Sequence, residues 1–324
     1  MRSSRPIITS EKRRLFDRIL PATCATISRA WHSTVLLLVL TNLFWAVSIV
    51  IGRAVHELVP PVALAFWRGL IALIVVFPLA WPRLRRDWPV LRRRWRLVLM
   101  LGTFGIGVYN TIIYLGLQTT TALNAVLMQS ATPLFILLCS FMLFRDRPGL
   151  QQIVAVLISL LGVAVIAGQG SLQALLRFSL NRGDAFILVG IAISAIYAAL
   201  LRRRPTVHPL SFLAATFAIG TANTLPFYFW ERLSGAVLHP TPGVLLAILC
   251  LGVFPAFIAY LFFNRGVELI GANRAGQFIH LVPVFGSLFA VVSLGESFRG
   301  YHLFGILLIA AGIILATVRR RHRV

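Results

Sequence analysis

Apolar runs of about twenty residues repeat along most of the chain, separated by short polar segments rich in arginine. A helix needs about 20 apolar residues to cross a membrane, because each residue rises about 1.5 Å and the hydrocarbon layer is about 30 Å thick. The runs predict ten transmembrane helices, at 33–52, 60–80, 97–117, 122–144, 150–168, 183–201, 209–230, 242–263, 273–294 and 301–318. The expected fold is an all-α integral membrane protein.

The second half of this pattern resembles the first at an offset of 150 residues, without a gap. Pro133 falls on Pro283 and Gly162 on Gly312. Glycine and proline determine close helix contacts and kinks, so their register indicates a duplication rather than a shared apolar composition. Five spans per half is an odd number, which predicts that the second repeat is inverted relative to the first, as in transporters that work by alternating access.

The repeat defines the predicted domain organisation. It comprises a basic tail at 1–32, a first five-helix repeat at 33–168, an outer linker at 169–182, a second five-helix repeat at 183–318 and a basic tail at 319–324. The linker is the only long connection near the middle of the chain, and its LQALLRF stretch is weakly amphipathic.

The placement of basic residues predicts the orientation in the membrane. With the N-terminus inside, the inner segments carry 25 basic residues and the outer segments carry five, while Arg68 lies inside the second run. Inner loops of membrane proteins carry the excess of positive charge. Both termini are therefore expected in the cytoplasm, in a multi-pass protein of a bacterial cytoplasmic membrane.

Composition excludes several function classes. The chain is 58% hydrophobic and 12% charged, and its net charge of +22 comes from clusters between apolar runs, which argues against nucleic-acid binding. The three cysteines lack metal or redox spacing, and no zinc-protease, serine-hydrolase or nucleotide-binding motif occurs. We expect no catalytic residue, metal or cofactor. The expected partners are lipid and a small-molecule solute, with a monomer sufficient for transport and the oligomeric state left open.

Several segments resemble the drug/metabolite transporter superfamily, in which each chain carries paired EamA domains. They are NLFWAVSIVIG in the first span, AFWRGLIAL in the second, ALNAVLMQSATPLF in the fourth and GANRAGQFIHLVPVFGSLFAVVSLGESF in the second half. The resemblance covers about residues 33–318, although Phe144–Arg145–Asp146 stands where the second half has Leu294–Gly295–Glu296. It implies a permease, with export as the expected direction, and leaves the substrate open.

A polar pair recurs in both halves with its members exchanged. Asn110 and Tyr114 lie four residues apart in the third span, as do Tyr260 and Asn264 in the eighth. Side chains four apart share a helix face, and polar side chains within a span usually face a cavity or another helix. We expect these four residues to line one central substrate cavity, the alternative being that they hydrogen-bond neighbouring helices.

Further candidate substrate contacts lie in the ninth and first spans. Gln277 and His280 share a stripe of the ninth span with Asn273, whereas Asn124 and Gln129 of the fourth span point at different angles. His280 is expected to border the cavity as a neutral imidazole that binds solute by hydrogen bonds; proton coupling or a bond to a neighbouring helix are the alternatives. Trp45 is the candidate of the first span.

The remaining candidates are structural or gating residues. Arg68 lies about 12 Å into its span and needs a partner, for which Glu57 and Glu296 are candidates, or else it binds an anion. Asp146 and Glu296 precede the last span of each half and are expected to favour those helix N-termini.

Three prolines, Pro133, Pro255 and Pro283, are predicted to mark kinks at which helices hinge. Together these features favour a secondary transporter that moves a small metabolite, such as an amino acid or a related amphiphilic solute, out of the cell. The alternatives are drug efflux by the same fold, a channel, or a membrane adaptor or receptor that transports nothing.

Overall fold

The computed structural model describes residues 33–145, 149–167, 170–171, 181–271, 275–276 and 278–317, and helices account for nearly all of them. Both predicted tails and most of the predicted linker lie outside the described residues. No strand occurs within the described ranges. The helices are α1 (Thr34–Ala54), α2 (Pro61–Arg93), α3 (Trp95–Gly116), α4 (Ala122–Phe144), α5 (Leu150–Ala167), α6 (Arg182–Leu201), α7 (Pro209–Leu233), α8 (Pro242–Ile270), α9 (Phe278–Leu294) and α10 (Gly300–Thr317).

The all-α membrane fold is confirmed. Seven of these helices, α1 to α4 and α6 to α8, are long and apolar enough to cross a membrane, and α5, α9 and α10 contain shorter apolar stretches. That all ten cross the membrane stays a prediction. The outer surface of the bundle carries many exposed large apolar side chains, among them Met142, Val292 and Leu307, which is the pattern expected of a surface covered by lipid.

Helix α2 is much longer than the apolar run that predicts it. The run ends near residue 80, but the helix continues to Arg93 and has 33 residues, or about 50 Å at 1.5 Å per residue. The part of the helix after residue 80 carries arginines and the exposed Trp81 and Trp88, and the Arg85 guanidinium lies 4.4 Å from the Trp81 ring centroid. Such residues are typical of the membrane–water interface. The apolar run therefore ends where the helix is expected to leave the hydrocarbon layer, and the helix itself continues.

The α2 extension is attached to the start of α7 through His208. The backbone N–H of His208 donates to Asp87 Oδ2 at 3.0 Å, and His208 Nδ1 accepts from the Leu210 N–H at 3.2 Å. Partial burial, and secondly the charge of Arg83, lower the pKa of His208. A lowered pKa favours the neutral ring, which has one unprotonated nitrogen that can accept a hydrogen bond such as the one from Leu210.

Helix contacts are exchanged between the two halves of the chain. Helix α1 packs on α8 and α9, while α6, its counterpart at the 150-residue offset, packs on α3 and α4. Helix α2 packs on its own counterpart α7, and α5 packs on its counterpart α10. A two-fold relation between the halves generates this pattern. The inverted orientation of the second half remains a prediction.

Two contacts between helices of different halves depend on glycine. A Cβ on Gly220 of α7 would lie 2.5 Å from Ile106 Cβ and 3.0 Å from the Gly102 carbonyl oxygen of α3. Similarly, a Cβ on Gly162 of α5 would lie 2.6 Å from the Gly305 carbonyl oxygen of α10. Small residues let membrane helices approach to backbone contact, where dispersion forces replace the hydrophobic effect. Gly162, which is in register with Gly312, therefore lies at a close crossing of α5 and α10.

We expect Gly220→Ala to destabilise the bundle, because the added methyl meets a backbone carbonyl and a β-branched side chain. Overpacking of this kind costs about 1–3 kcal/mol, enough to lower the Tm measured in detergent. Gly243→Ala is the matched control, because the nearest heavy atom to its Cβ would be 4.0 Å away. Equal Tm values for the two variants would show that the crossing tolerates a side chain.

Candidate functional site: a cavity between two π-helical segments

Helices α3 and α8 both change from α-helix to π-helix near their middle. The π segments are Thr103–Val108 and Gly252–Ile258, equivalent positions at the 150-residue offset. π turns are rare and occur frequently at functional sites. A side chain on Gly105 would not fit in the first segment, because its Cβ would lie 2.3 Å from Cδ2 of the Tyr197 ring.

Each π segment accepts a hydrogen bond from a side chain of the other half. The Tyr260 hydroxyl donates to the Gly105 carbonyl oxygen at 2.7 Å. The Arg68 guanidinium donates through Nη2 to the Pro255 carbonyl oxygen at 3.3 Å. Both bonds join the two halves of the chain, and their acceptors, Gly105 and Pro255, are equivalent positions of the sequence repeat. Each bond satisfies a backbone carbonyl oxygen within a π segment.

A buried cavity lies beside these bonds. Its volume is about 60 Å³, measured as the space open to the centre of a water molecule. Most of the wall is aromatic or aliphatic, and a few polar groups face the interior. The lining residues are Trp45, Ser48, Ile49, Arg68, Gly105, Tyr109, Asn110, Ile113, Tyr114, Gln129, Thr132, Ile136, Ser194, Tyr197, Ala198, Tyr260, Phe263, Ile279 and Val282.

Three members of the exchanged polar pairs, Asn110, Tyr114 and Tyr260, line this cavity. The fourth, Asn264, does not. It is 0% exposed and lies behind Tyr197, whose hydroxyl donates to Asn264 Oδ1 at 3.4 Å. A spacing of four residues places two side chains on one helix face. It does not place both at the cavity, and here the Tyr197 side chain lies between Asn264 and the cavity.

Trp45 also lines the cavity, where its ring meets Tyr260 edge-on with 5.7 Å between ring centroids. The Phe263 ring centroid is 5.0 Å from that of Trp45. Tyr114, which belongs to the polar pair of the first half, has its hydroxyl 3.3 Å from Ser48 Oγ of α1. The first span therefore contributes both an aromatic wall and a hydroxyl to the cavity.

Gln129 corrects one sequence expectation. Its position in an ideal α-helix predicts a direction away from the cavity, yet Gln129 lines it, with Nε2 donating to the Tyr109 hydroxyl at 3.4 Å. Residues Gln129–Ala131 form a 3₁₀ turn inside α4. The side of α4 that lines the cavity is the stripe of Gln129, Thr132 and Ile136, which are spaced three and four residues apart as on one helix face. Tyr109 and Ser194 are lining residues that the sequence interpretation missed.

His280 lies next to the cavity rather than in its wall. Its neighbour Ile279 is a lining residue, and both belong to the 3₁₀ turn Phe278–His280. The Nδ1 atom of His280 is buried and has no hydrogen-bond partner among the described residues. The alternative in which Nδ1 bonds a neighbouring helix is not seen in this part of the chain. Asn273 and Gln277 lie outside the described residues.

Arg68 differs from expectation in its partners. It is 3% exposed, and its Nη1 donates to Asn110 Oδ1 in a short contact. The Asn110 amide is oriented by its own Nδ2, which donates to the Ile106 carbonyl oxygen at 2.7 Å. Of the two candidate acids, Glu57 has an 84% exposed side chain, and its Oε1 lies 3.9 Å from His56 Nε2. Both partners of Arg68 within the described residues are thus neutral oxygen atoms.

Glu296, the other candidate, caps a helix in the opposite half. Its two carboxylate oxygens accept from the backbone N–H groups of Ala122 and Leu123 at 2.9 and 2.7 Å, at the start of α4. The sequence interpretation had placed it at the start of α10 instead. Gly295, with φ of 66°, ends α9 in the left-handed region and directs the chain toward α4. Asp146 lies outside the described residues.

A second cap of the same form was missed from the sequence. Glu231, near the end of α7, accepts from the N–H groups of Val62 and Ala63 at 3.0 and 2.7 Å, at the start of α2. The available signal was an acid close to the end of an apolar run, opposite a helix that begins at Pro61. Prolines at helix starts leave the first N–H groups without intrahelical partners, and a carboxylate satisfies two of them.

The three predicted kink prolines all lie at or beside departures from α-helix. Pro255 lies within the second π segment. Pro133 and Pro283 follow the 3₁₀ turns of α4 and α9, at the second and third residues of the α-helical stretches that resume there. Proline lacks the N–H that an α-helix uses at these positions. Hinging at these points stays a prediction.

A duplicated helical membrane bundle with a buried cavity between its halves defines a class of membrane transporter. The sequence profile of the EamA-like transporter family matches the chain twice, over residues 32–168 and 181–318. The chain belongs to this family and is a multi-pass membrane transporter of the drug/metabolite type.

Individual relatives agree with this assignment. The chain is 26% identical to an uncharacterized transporter of Archaeoglobus fulgidus over 289 residues, 89% of this chain and 98% of the relative. It is 26% identical to the uncharacterized transporter YyaM of Bacillus subtilis over 220 residues, 68% of this chain and 72% of that one. A solved crystal structure with 22% identity superposes with a TM-score of 0.63, over 88% of this chain and 96% of the other, which supports the fold.

We expect Glu296→Ala to lower stability by about 1 kcal/mol, because two N–H groups of α4 lose their acceptor. Glu57→Ala, which removes an exposed carboxylate, is the matched control and should leave the Tm unchanged. Thermal unfolding of the purified protein in detergent measures both. An unchanged Tm for Glu296→Ala would mean that other groups take over the cap.

Proposed function

We propose that the chain is a secondary transporter that moves a small metabolite, such as an amino acid or a related amphiphilic solute, out of the cell by alternating access. The observation that carries the proposal is the cavity beside the two π segments, to which both repeats contribute polar groups. Ligand cavities in proteins are mostly apolar, with a few polar groups that orient the ligand. The bacterial cytoplasmic membrane, with both termini inside, is the proposed location.

The size of the cavity supports a mechanism that requires movement. About 60 Å³ is well below the roughly 300–1,000 Å³ of typical ligand pockets. The passage of a solute through the protein therefore requires this cavity to open. The π segments and the 3₁₀ turns of α4 and α9 lack the regular hydrogen-bond ladder of an α-helix, and such points are where transporter helices bend. We propose that the cavity widens there toward one side of the membrane at a time.

Drug efflux is the second candidate function. The observation in its favour is the aromatic wall of the cavity, which suits flat apolar compounds. A transport assay with mixed substrates separates the two. The purified protein is reconstituted in liposomes and tested by counterflow against labelled amino acids, small organic acids and lipophilic cationic dyes. Exchange of metabolites supports the proposal, exchange of dyes alone supports efflux, and no exchange of any compound contradicts transport.

We expect Tyr260→Phe and Asn110→Ala to reduce exchange by about tenfold, since each removes one charge-assisted or buried hydrogen bond at the cavity. Tyr228→Phe is the matched control: Tyr228 stacks on Phe66 with 4.7 Å between ring centroids and is not among the described lining residues. Initial rates are normalised to folded protein measured by size exclusion. Rates equal to the control would remove these residues from the site.

His280→Gln separates hydrogen bonding from proton coupling. Glutamine keeps a hydrogen-bond donor and an acceptor, but unlike histidine it does not take up a proton near neutral pH. We expect the variant to change solute affinity while accumulation driven by a pH gradient persists, because we propose that the imidazole acts as a neutral hydrogen-bonding group. Exchange and gradient-driven uptake are measured side by side. Loss of the gradient-driven flux alone would assign proton coupling to His280.

A further inference from the structure

Among the described residues, the cavity wall carries one formal charge and no opposite charge. Arg68 is the only charged side chain among the described lining residues, and it is 3% exposed. The ion pairs within the described ranges involve His56, Arg204 and Arg265 as the basic partners and leave Arg68 without a carboxylate. A buried cation is costly unless an anion or several hydrogen bonds compensate it.

The hydrogen bonds of Arg68 compensate this charge only in part. A guanidinium has five N–H donors, and two of them reach the described oxygen atoms of Asn110 and Pro255. The Nε atom is buried and has no partner among the described residues. A planar guanidinium with free N–H groups is the side chain best suited to hold a carboxylate through two parallel hydrogen bonds.

We propose that Arg68 binds the carboxylate of a small solute whose apolar body lies against the aromatic wall of the cavity. This inference rests on the proposed function and adds to it the charge of the substrate. One cation favours a monoanion over a phosphate dianion. A lone amine is disfavoured, since the described lining residues include no aspartate or glutamate to pair with it.

The wall and the volume define the rest of the solute. Trp45, Ile113 and Phe263 offer apolar surface on several sides of the cavity. A volume of about 60 Å³ fits a group of few carbon atoms in this conformation. A short branched carboxylate therefore matches the site better than a large aromatic drug.

Three compounds with one carbon skeleton test the charge preference: isovalerate, an anion; isovaleramide, a neutral isostere; and 3-methylbutylamine, a cation. Each is titrated into the full-length protein in lipid nanodiscs at pH 7 by isothermal titration calorimetry. We expect isovalerate to bind at least about tenfold more tightly than the other two, the ratio typical of one charge-assisted hydrogen-bond pair. Equal binding of the three, tighter binding of the amide or amine, or no binding of isovalerate overturns the proposal.

Variants connect the preference to this residue. Arg68→Gln should abolish the preference for isovalerate, whereas Arg68→Lys, which keeps the charge, should retain part of it. Arg232→Gln makes the same change at an exposed arginine and should leave the preference intact. A folded Arg68→Gln protein that still prefers isovalerate overturns the proposal. The comparison of ligands in the unaltered protein needs no variant, so misfolding of Arg68→Gln does not weaken the test.

The result is separable from the outcome of the transport assay. Exchange of neutral or cationic solutes together with no isovalerate binding would leave transport standing and overturn the anion site. Isovalerate binding that depends on Arg68, with no exchange of any solute in liposomes, would support the anion site and contradict transport.

Discussion

Backbone hydrogen bonding in lipid is the constraint on which this structure depends. Inside a bilayer each N–H and C=O needs a partner from the protein, because no water is available. The two π segments interrupt the regular α-helical pattern at the level of Gly105 and Pro255, and the acceptors there are satisfied by side chains from the opposite half. The same two bonds that satisfy the backbone also hold the repeats together, and the cavity opens beside them.

This arrangement explains why the polar residues of the site are so few. Tyr260 and Arg68 each perform a structural task and also face the cavity. Moving either side chain toward a solute releases a carbonyl oxygen in the non-α stretch. In the proposed mechanism, solute binding and helix movement are therefore linked through shared donors, without any additional residue to transmit the change.

The sequence predicted the membrane fold and most of the helix positions because length and hydropathy determine a transmembrane helix almost alone. It failed where packing decides which side of a helix faces the cavity and where a helix leaves the membrane. Helical spacing places Gln129 with Thr132 and Ile136, but it does not say that this stripe of α4 is the one that lines the cavity. The end of α2 was placed at residue 80 because hydropathy reports the edge of the hydrocarbon, and the helix extends beyond that edge to Arg93.

The site was predictable only in part, because helical spacing gives neither the distance of a side chain from the cavity nor its hydrogen-bond partners. Asn110, Tyr114 and Tyr260 follow from helical spacing, and they do line the cavity. Asn264 has the same spacing, but spacing gives direction and not the number of layers between a side chain and the cavity. The partners of Arg68 were not predictable, since neutral acceptors such as the Pro255 carbonyl carry no sequence signal.

The cap that Glu296 provides has a consequence for the origin of the fold. The carboxylate belongs to the second repeat and the N–H groups belong to the first, so a single repeat on its own would begin its fourth helix with unmet donors. Two copies of one ancestral repeat, associated about a two-fold axis, would each supply this acid to the other. If two such copies were fused into one chain, the Glu296 cap would be what remains of a contact between two separate subunits.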